Sequence, residues 1–223
     1  MSEGFHPPVE EYLEAIYELE EEGVPVIRAR LAERLGHAAP TVTENVKRLE
    51  EKGYVTASGR AVRMSSQGRR LAESVTRKHR LAERLLTDVI GLEWHKIHAE
   101  AGRWEHVISD DVEEKLQELL GHPTTCPHGN PIPGAPAQKR KLRAMSELEA
   151  GDAVRLERVT ERVEADLPSL VYLDEAGFRP GAAAVITAKA PDGTITVDID
   201  GSTLAVGPSL AQQLFVSDAL EPA

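Results

Sequence analysis

Long apolar runs, aromatic rings and cysteine pairs are all scarce in this chain of 223 residues. No stretch approaches the roughly 20 apolar residues that a membrane-spanning helix requires. A single cysteine, Cys126, excludes an intramolecular disulfide framework. Aromatic residues make up 4% of the chain against 41% apolar residues overall, so any core must be built from Leu, Val, Ile and Ala. The first residues, Met-Ser-Glu-Gly-Phe-His-Pro-Pro, lack a basic segment followed by an apolar one, which predicts no signal peptide and a cytoplasmic protein. An overall excess of positive charge is missing too. There are 26 Lys and Arg against 37 Asp and Glu, a net charge of −11.

That charge is unevenly spread. Residues 28–84 carry 14 basic and 6 acidic side chains, whereas the rest of the chain is strongly acidic. A basic segment on an acidic body still attracts phosphate locally, because salt screens charges beyond about 8 Å. The same segment reads as a DNA-binding pattern. Pro8 opens a helix with an apolar stripe at Tyr12, Leu13, Ile16 and Leu19. A second helix spans about 28–35, Gly36-His37-Ala38-Ala39 makes a tight turn, and Pro40 starts a third helix running from Thr41 to Lys52. Two helices joined by a short Gly-containing turn form a helix-turn-helix. Tyr54–Ala57 and Ala61–Met64, broken at Ser58-Gly59-Arg60, form a two-stranded wing.

Helices are predicted over about 66–90, 93–108 and 110–120, with apolar residues such as Leu81, Leu85, Val89, Ile90 and Ile97 in excess of what one small domain buries, which points to a dimer interface. Residues 121–137 are rich in Pro and Gly and exclude regular structure. Beyond Asp152 the pattern turns to short alternating strands at 153–159, 183–188, 194–199, 202–206 and 214–216, with turns at Asp192-Gly193 and Asp200-Gly201 and a short helix at 167–176. The expected organisation is a winged helix-turn-helix domain (1–74), a helical dimerisation and metal-binding domain (75–137), a linker (138–150) and a small all-β domain (151–223). The fold class is mainly α with a small β-barrel.

The segment His98-Ala-Glu-Ala-Gly-Arg-Trp-Glu105-His106 is the most informative. Helical spacing places its imidazoles and carboxylate along one side, and His79 and Glu83 present a second such pair four residues apart. Imidazole nitrogen with carboxylate oxygen is a ligand mixture that first-row divalent metals accept.

Taken in order, Glu11-Tyr12-Leu13-Glu14-Ala15-Ile16-Tyr17, Pro40-Thr41-Val42, Arg77-Lys78-His79-Arg80-Leu81-Ala82-Glu83, Arg103-Trp104-Glu105-His106 and Gly129-Asn130-Pro131-Ile132-Pro133-Gly134 resemble the diphtheria-toxin-repressor family of metal-dependent transcriptional regulators, which has iron-sensing and manganese-sensing branches. The C-terminal segment resembles that family's SH3-like (FeoA-like) domain more loosely. The resemblance implies a homodimer that binds double-stranded palindromic operators of metal-homeostasis genes when a divalent metal is present, and two metal sites per subunit. An ancillary site would use His79, Glu83 and His98 with a carboxylate from the SH3-like domain, either Glu164 or Asp166. A regulatory site would use Glu105 and His106.

Two departures stand out. Iron sensors of the family have methionine where this chain has Glu11, and cysteine where it has Gly102. Glu11 offers a hard oxygen donor, and Cys126, in a loop of the same region, is a candidate for the lost thiolate. The implied regulatory set is therefore Glu11, Glu105, His106 and Cys126. Its oxygen content favours Mn²⁺, with Fe²⁺ as the alternative. Among the remaining histidines, His37 is a candidate phosphate contact, whereas His6, His95, His122 and His128 read as surface or loop residues. Base or phosphate contacts are expected from Pro40, Thr41, Thr43, Glu44, Lys47, Arg48, Arg28, Arg30 and Arg60. Other functions compatible with the sequence are a metal-independent winged-helix regulator and a metal-dependent hydrolase; a nucleophile elbow or a phosphate-binding loop is missing, which disfavours the latter.

Overall fold

The computed structural model describes residues 8–136 and 141–219. His6 and part of the expected linker fall outside them. The chain forms two compact units, one made of residues 1–82, 100–122 and 132–134, the other of 83–99, 123–131 and 135–223.

In the first unit, α1 (Pro8–Glu21), α2 (Arg28–Leu35) and α3 (Ala39–Glu51) precede a hairpin of β1 (Val55–Ser58) and β2 (Ala61–Met64). α1 buries Tyr12, Leu13, Ala15, Ile16 and Leu19, α2 buries Leu31, and α3 buries Val42, Val46 and Leu49. These side chains, with Val55, Val62 and Ala72, form one core. Burying each large aliphatic group there contributes roughly 1.5–3 kcal/mol. Gly36 ends α2 in the left-handed conformation at φ 64°, and its N–H is hydrogen-bonded to the Ala32 carbonyl. A side chain rarely adopts that φ, so glycine sets the turn of the helix-turn-helix. The hairpin pairs Val55 with Met64 and Ser58 with Ala61, as expected for a wing. α6 (Asp110–Leu119), capped by the Ser109 side chain, completes the unit.

α4 runs from Ser66 to Arg84 and continues into a wider π-turn over Leu85–Ile90. One α-helix had been expected over 66–90. Apolar spacing alone cannot separate the two forms, because a single π-turn adds only one residue to a turn. Likewise, the segment expected as one helix over 93–108 begins as a 3₁₀ turn at Trp94–Lys96 before α5 (Ile97–Trp104).

The second unit contains a six-stranded antiparallel sheet in the order β3-β8-β4-β5-β6-β7. Its strands are β3 (Arg143–Ala144), β4 (Ala153–Val159), β5 (Ala183–Lys189), β6 (Ile195–Ile199), β7 (Ser202–Val206) and β8 (Leu214–Asp218). Alternation places Val154, Leu156 and Val159 of β4 and Ile195, Val197 and Ile199 of β6 inside. α7 (Glu161–Glu164), α8 (Leu167–Glu175) and α9 (Pro208–Ala211) fill the connections. β3, α7 and α9 are too short to leave a periodic signal in the sequence. Among the described residues no helix is long and apolar enough to cross a membrane.

Tyr12 is fully buried, and its hydroxyl meets His37 Nδ1 at 2.9 Å and accepts from Asn45 Nδ2 at 3.3 Å, joining α1 to the turn and to α3. Replacing Tyr12 with Phe leaves these partners unsatisfied. Chemical denaturation should show a loss of about 1 kcal/mol per missing hydrogen bond.

Candidate metal centres and DNA-reading surface

The first unit brings acidic residues of α1 against imidazoles from α4 and from the end of α5. His79 Nδ1 contacts Glu105 Oε2, and both residues are buried. His106 sits between two carboxylates, with Nδ1 at 2.8 Å from Glu10 Oε2 and Nε2 at 3.0 Å from Glu105 Oε1. Donor atoms of Glu14, His79 and Glu105 lie within 4.8 Å of one another. Residues 10 and 14 are one helical turn apart, so the same face of α1 supplies both carboxylates. Burial raises the Glu105 carboxyl, but His79 and His106 outweigh it and hold the group at about 2. For His106, burial lowers the pKa, and hydrogen bonding and charge from Glu105 and Glu10 raise it on balance.

The expected regulatory set is thus divided. Glu105 and His106 stand together, and the α1 residues facing the imidazole and carboxylate are Glu10 and Glu14, whereas no such contact is found for Glu11. The side-chain position along α1 could not be chosen from the sequence, where three glutamates crowd one turn. Cys126 belongs to the second unit.

There Cys126 is buried with Glu83, His128 and Glu164, all four donor atoms within 4.8 Å. The loop is shaped by its own backbone: Cys126 N–H is hydrogen-bonded to the Asn130 carbonyl at 2.8 Å, and Val159 N–H to the His128 carbonyl at 3.0 Å. Gly129 passes so close to β4 that a Cβ would stand 1.9 Å from the Glu157 carbonyl oxygen. That approach requires glycine and carries Cys126 and His128 inward. Trp94 packs on the His128 ring, centroids 4.7 Å apart, and its indole N–H is hydrogen-bonded to the Pro127 carbonyl at 3.1 Å.

His128 Nδ1 lies 3.2 Å from Glu83 Oε1 and 2.8 Å from Glu164 Oε2. Its Nε2 is buried and finds no hydrogen-bond partner among the described residues. Burial opposes a charge on this ring, but Glu164 and Glu83 push its pKa up to about 10. The same imidazole holds the Glu164 carboxyl below its ordinary value despite its burial. A thiol, an imidazole with an unsatisfied nitrogen and two buried carboxylates fit a divalent transition metal.

Of the ancillary set, His79 lies in the first unit, and Glu83, His98 and Glu164 in the second. His98 Nδ1 is 3.5 Å from Glu83 Oε1 and 3.3 Å from Glu164 Oε2. Asp166 is exposed and accepts from the Ser169 hydroxyl at 2.5 Å, so Glu164 is the carboxylate that α7 turns inward. His128 and Glu161 were missed in the sequence. His128 sits in a Pro- and Gly-rich loop that looks solvated, but its Cys-Pro-His spacing beside the lone cysteine was a usable signal. His95 is also not a plain surface residue, because its Nδ1 meets Asp174 Oδ2 at 2.6 Å.

On the DNA-reading side, Pro40, Thr41, Thr43, Glu44, Lys47 and Arg48 all lie on the exposed face of α3. Arg48 pairs with Glu44 at 2.5 Å and Lys47 with Glu51 at 3.7 Å. Arg30 pairs with Glu33 at 2.5 Å, and Arg28 Nη1 donates to the Gly59 carbonyl at 3.0 Å, bracing the wing tip beside exposed Arg60. His37 is taken up by Tyr12.

A winged helix-turn-helix followed by buried imidazole–carboxylate clusters defines a metal-responsive DNA-binding regulator. Three family models cover the chain: the iron-dependent repressor N-terminal DNA-binding domain at residues 5–61, the iron-dependent repressor metal-binding and dimerisation domain at 65–134, and the FeoA domain at 143–218. The chain is 47% identical over 204 residues to the iron-dependent repressor IdeR of Mycobacterium tuberculosis H37Rv, covering 86% of this chain and 88% of that protein. It is 41% identical over 221 residues to the diphtheria toxin repressor of Corynebacterium diphtheriae, covering 94% and 96%. A solved manganese-dependent transcriptional repressor in complex with manganese superposes with a TM-score of 0.84 at 31% identity, covering 94% of this chain and 99% of that one. The manganese regulator SloR gives 0.78 at 28% identity, covering 96% and 100%. The chain belongs to the diphtheria-toxin-repressor family of metal-dependent transcriptional repressors, and it is not an enzyme.

The His128 environment fixes a pH response in metal-free protein. Its pKa rises on folding from 6.5 to about 10, so the stability it contributes is fully present below pH 6.5 and is lost as pH rises through about 10. Thermal melts in chelator should therefore fall across that window for the native chain, and the fall should be smaller for His128→Gln. An equal slope in both would contradict this environment.

Proposed function

We propose that this chain is a homodimeric repressor that grips palindromic operators of metal-homeostasis genes in the cytoplasm when Mn²⁺ is bound, with Fe²⁺ as the alternative effector. The observation that carries the metal response is the convergence of Glu10 and Glu14 of the DNA-binding α1 on His106, His79 and Glu105. Glu14, His79, Glu105 and His106 would hold the regulatory cation, with Glu10 beside them. Glu11, first expected as a ligand, supplies its helix-mates' neighbour rather than the donor. A separate structural site would be held by Glu83, Cys126, His128 and Glu164.

Moving Cys126 out of the regulatory set leaves oxygen and nitrogen donors there. Hard donors suit Mn²⁺, although intrinsic affinity still rises from Mn²⁺ towards Cu²⁺, so coordination number and availability complete the selection. A bound divalent cation supplies the positive charge that allows buried carboxylates to stay close together. The protein's part is mechanical. α1 carries Tyr12, whose hydroxyl holds Asn45 of α3, so fixing α1 against Glu105 and His106 fixes the recognition helix as well. In a dimer, helix-turn-helix reading demands half-sites about 34–36 Å apart, and a fixed α1 removes the cost of ordering that spacing. The exposed side chains of α3 then meet base edges, and Arg60 with the other basic residues meets phosphate. Domain limits of 1–74, 75–137 and 151–223 follow the same division of labour.

Fluorescence anisotropy on an operator duplex tests this reading. Glu14→Gln and His106→Ala should each lose the Mn²⁺-stimulated gain in affinity by tenfold or more, about 1.4 kcal/mol, while remaining dimeric on sizing. Glu11→Gln should lose much less. A full metal response in both of the first two variants would overturn the α1 clamp.

A further inference from the structure

The buried donors of the second unit exceed what one cation needs. Beside Glu83, Cys126, His128 and Glu164 stands a further group, His98, Glu161 and Glu164, whose donor atoms also lie within 4.8 Å of one another. Glu164 belongs to both groups. Its Oε2 is 2.8 Å from His128 Nδ1 and 3.3 Å from His98 Nδ1. Glu83 is placed in the same way, with Oε1 3.2 Å from His128 Nδ1 and 3.5 Å from His98 Nδ1. Glu161 Oε2 faces His98 alone among the two imidazoles, at 3.7 Å, and Cys126 groups with His128 alone. Two carboxylates thus stand between two imidazoles, and each imidazole has one private anionic neighbour.

We propose that the second unit binds a pair of divalent cations at adjacent positions, bridged by the carboxylates of Glu83 and Glu164. One position is completed by Cys126 and His128, the other by Glu161 and His98. Charge supports the pairing. Glu83, Glu161, Glu164 and the Cys126 thiolate carry four negative charges when ionised, and the two neutral imidazoles none. One divalent cation leaves two uncompensated charges among groups of which Glu83, Glu161, Glu164 and Cys126 are each at most 5% exposed. Two cations balance the set, and unbalanced charge at that burial is costly. Asn130 Nδ2 already donates to Glu164, and Arg84 Nη2 reaches the Cys126 carbonyl at 3.5 Å while Nη1 pairs with Asp88, so these neighbours orient the donors without replacing a cation. The donors differ across the pair: a thiolate position for a softer ion, and an oxygen-rich position for a harder one such as Mn²⁺.

This inference rests on the assignment of Cys126 and His128 to a metal site, and one experiment separates the two. The full-length chain is used with Glu105→Gln and His106→Gln, which disable the first unit's cluster. Metal-stripped protein is titrated with Co²⁺, following near-ultraviolet thiolate-to-cobalt absorption, and bound cobalt is counted by elemental analysis after dialysis. The expected result is two equivalents per chain with the thiolate band present. Adding His98→Gln or Glu161→Gln should bring the count to one and keep the band; two variants guard against misfolding, checked by circular dichroism. Mn²⁺ loading should in parallel give an exchange-coupled electron paramagnetic resonance spectrum in place of isolated six-line signals. One equivalent with the band intact, or two equivalents with uncoupled Mn²⁺, overturns the bridged pair but leaves the single Cys126–His128 site standing. No thiolate band overturns both.

Discussion

Buried carboxylates in excess of nearby positive charge are the constraint on which this molecule turns. Glu83, Glu105, Glu161 and Glu164 are all nearly inaccessible to solvent. Each faces an imidazole, and where the balance is tightest the imidazole retains its proton: His128 is held in its charged form by Glu164 and Glu83. A proton is a weak substitute for a divalent cation, because it brings one charge and satisfies one lone pair. Both units are therefore built to be completed by metal, and the free energy released by completing them is available to order whatever the ligands are attached to.

What the ligands are attached to differs between the units. In the first, Glu10 and Glu14 belong to α1, whose opposite face is the core of the winged helix. Tyr12 then passes positional order from α1 to the turn and the recognition helix through His37 and Asn45. In the second, Glu161 and Glu164 come from the short α7 that follows β4, and Cys126 and His128 from a loop pressed against β4 at Gly129. Metal there consolidates the barrel unit and its loop. A regulatory role for the first cluster and a structural role for the second follow from these attachments.

Much of this was legible in the sequence. The helix-turn-helix and wing were readable because Gly36 and Pro40 punctuate strong apolar periods, and the strand spans 153–159 and 202–206 were anticipated to the residue. Glu105, His106, His79 and Glu83 stood out because helical spacing makes ligand pairs visible. The rest depended on tertiary placement. Three glutamates within residues 10–14 look equivalent until the rotation of α1 is known. Cys126 and His128 lie in a stretch whose composition suggests a solvated loop, and their burial comes from a glycine approach that no periodicity encodes. The choice of Glu164 over Asp166 required the four-residue α7, too short to be seen in a pattern.

The clamp on α1 is tested most directly by amide hydrogen exchange across residues 8–21 in the full-length chain, with Mn²⁺ and with chelator. Exchange in α1 is predicted to slow on adding Mn²⁺, together with exchange at the α4 and α5 residues flanking His79 and Glu105. Unchanged exchange in α1 while metal is demonstrably bound would contradict the account.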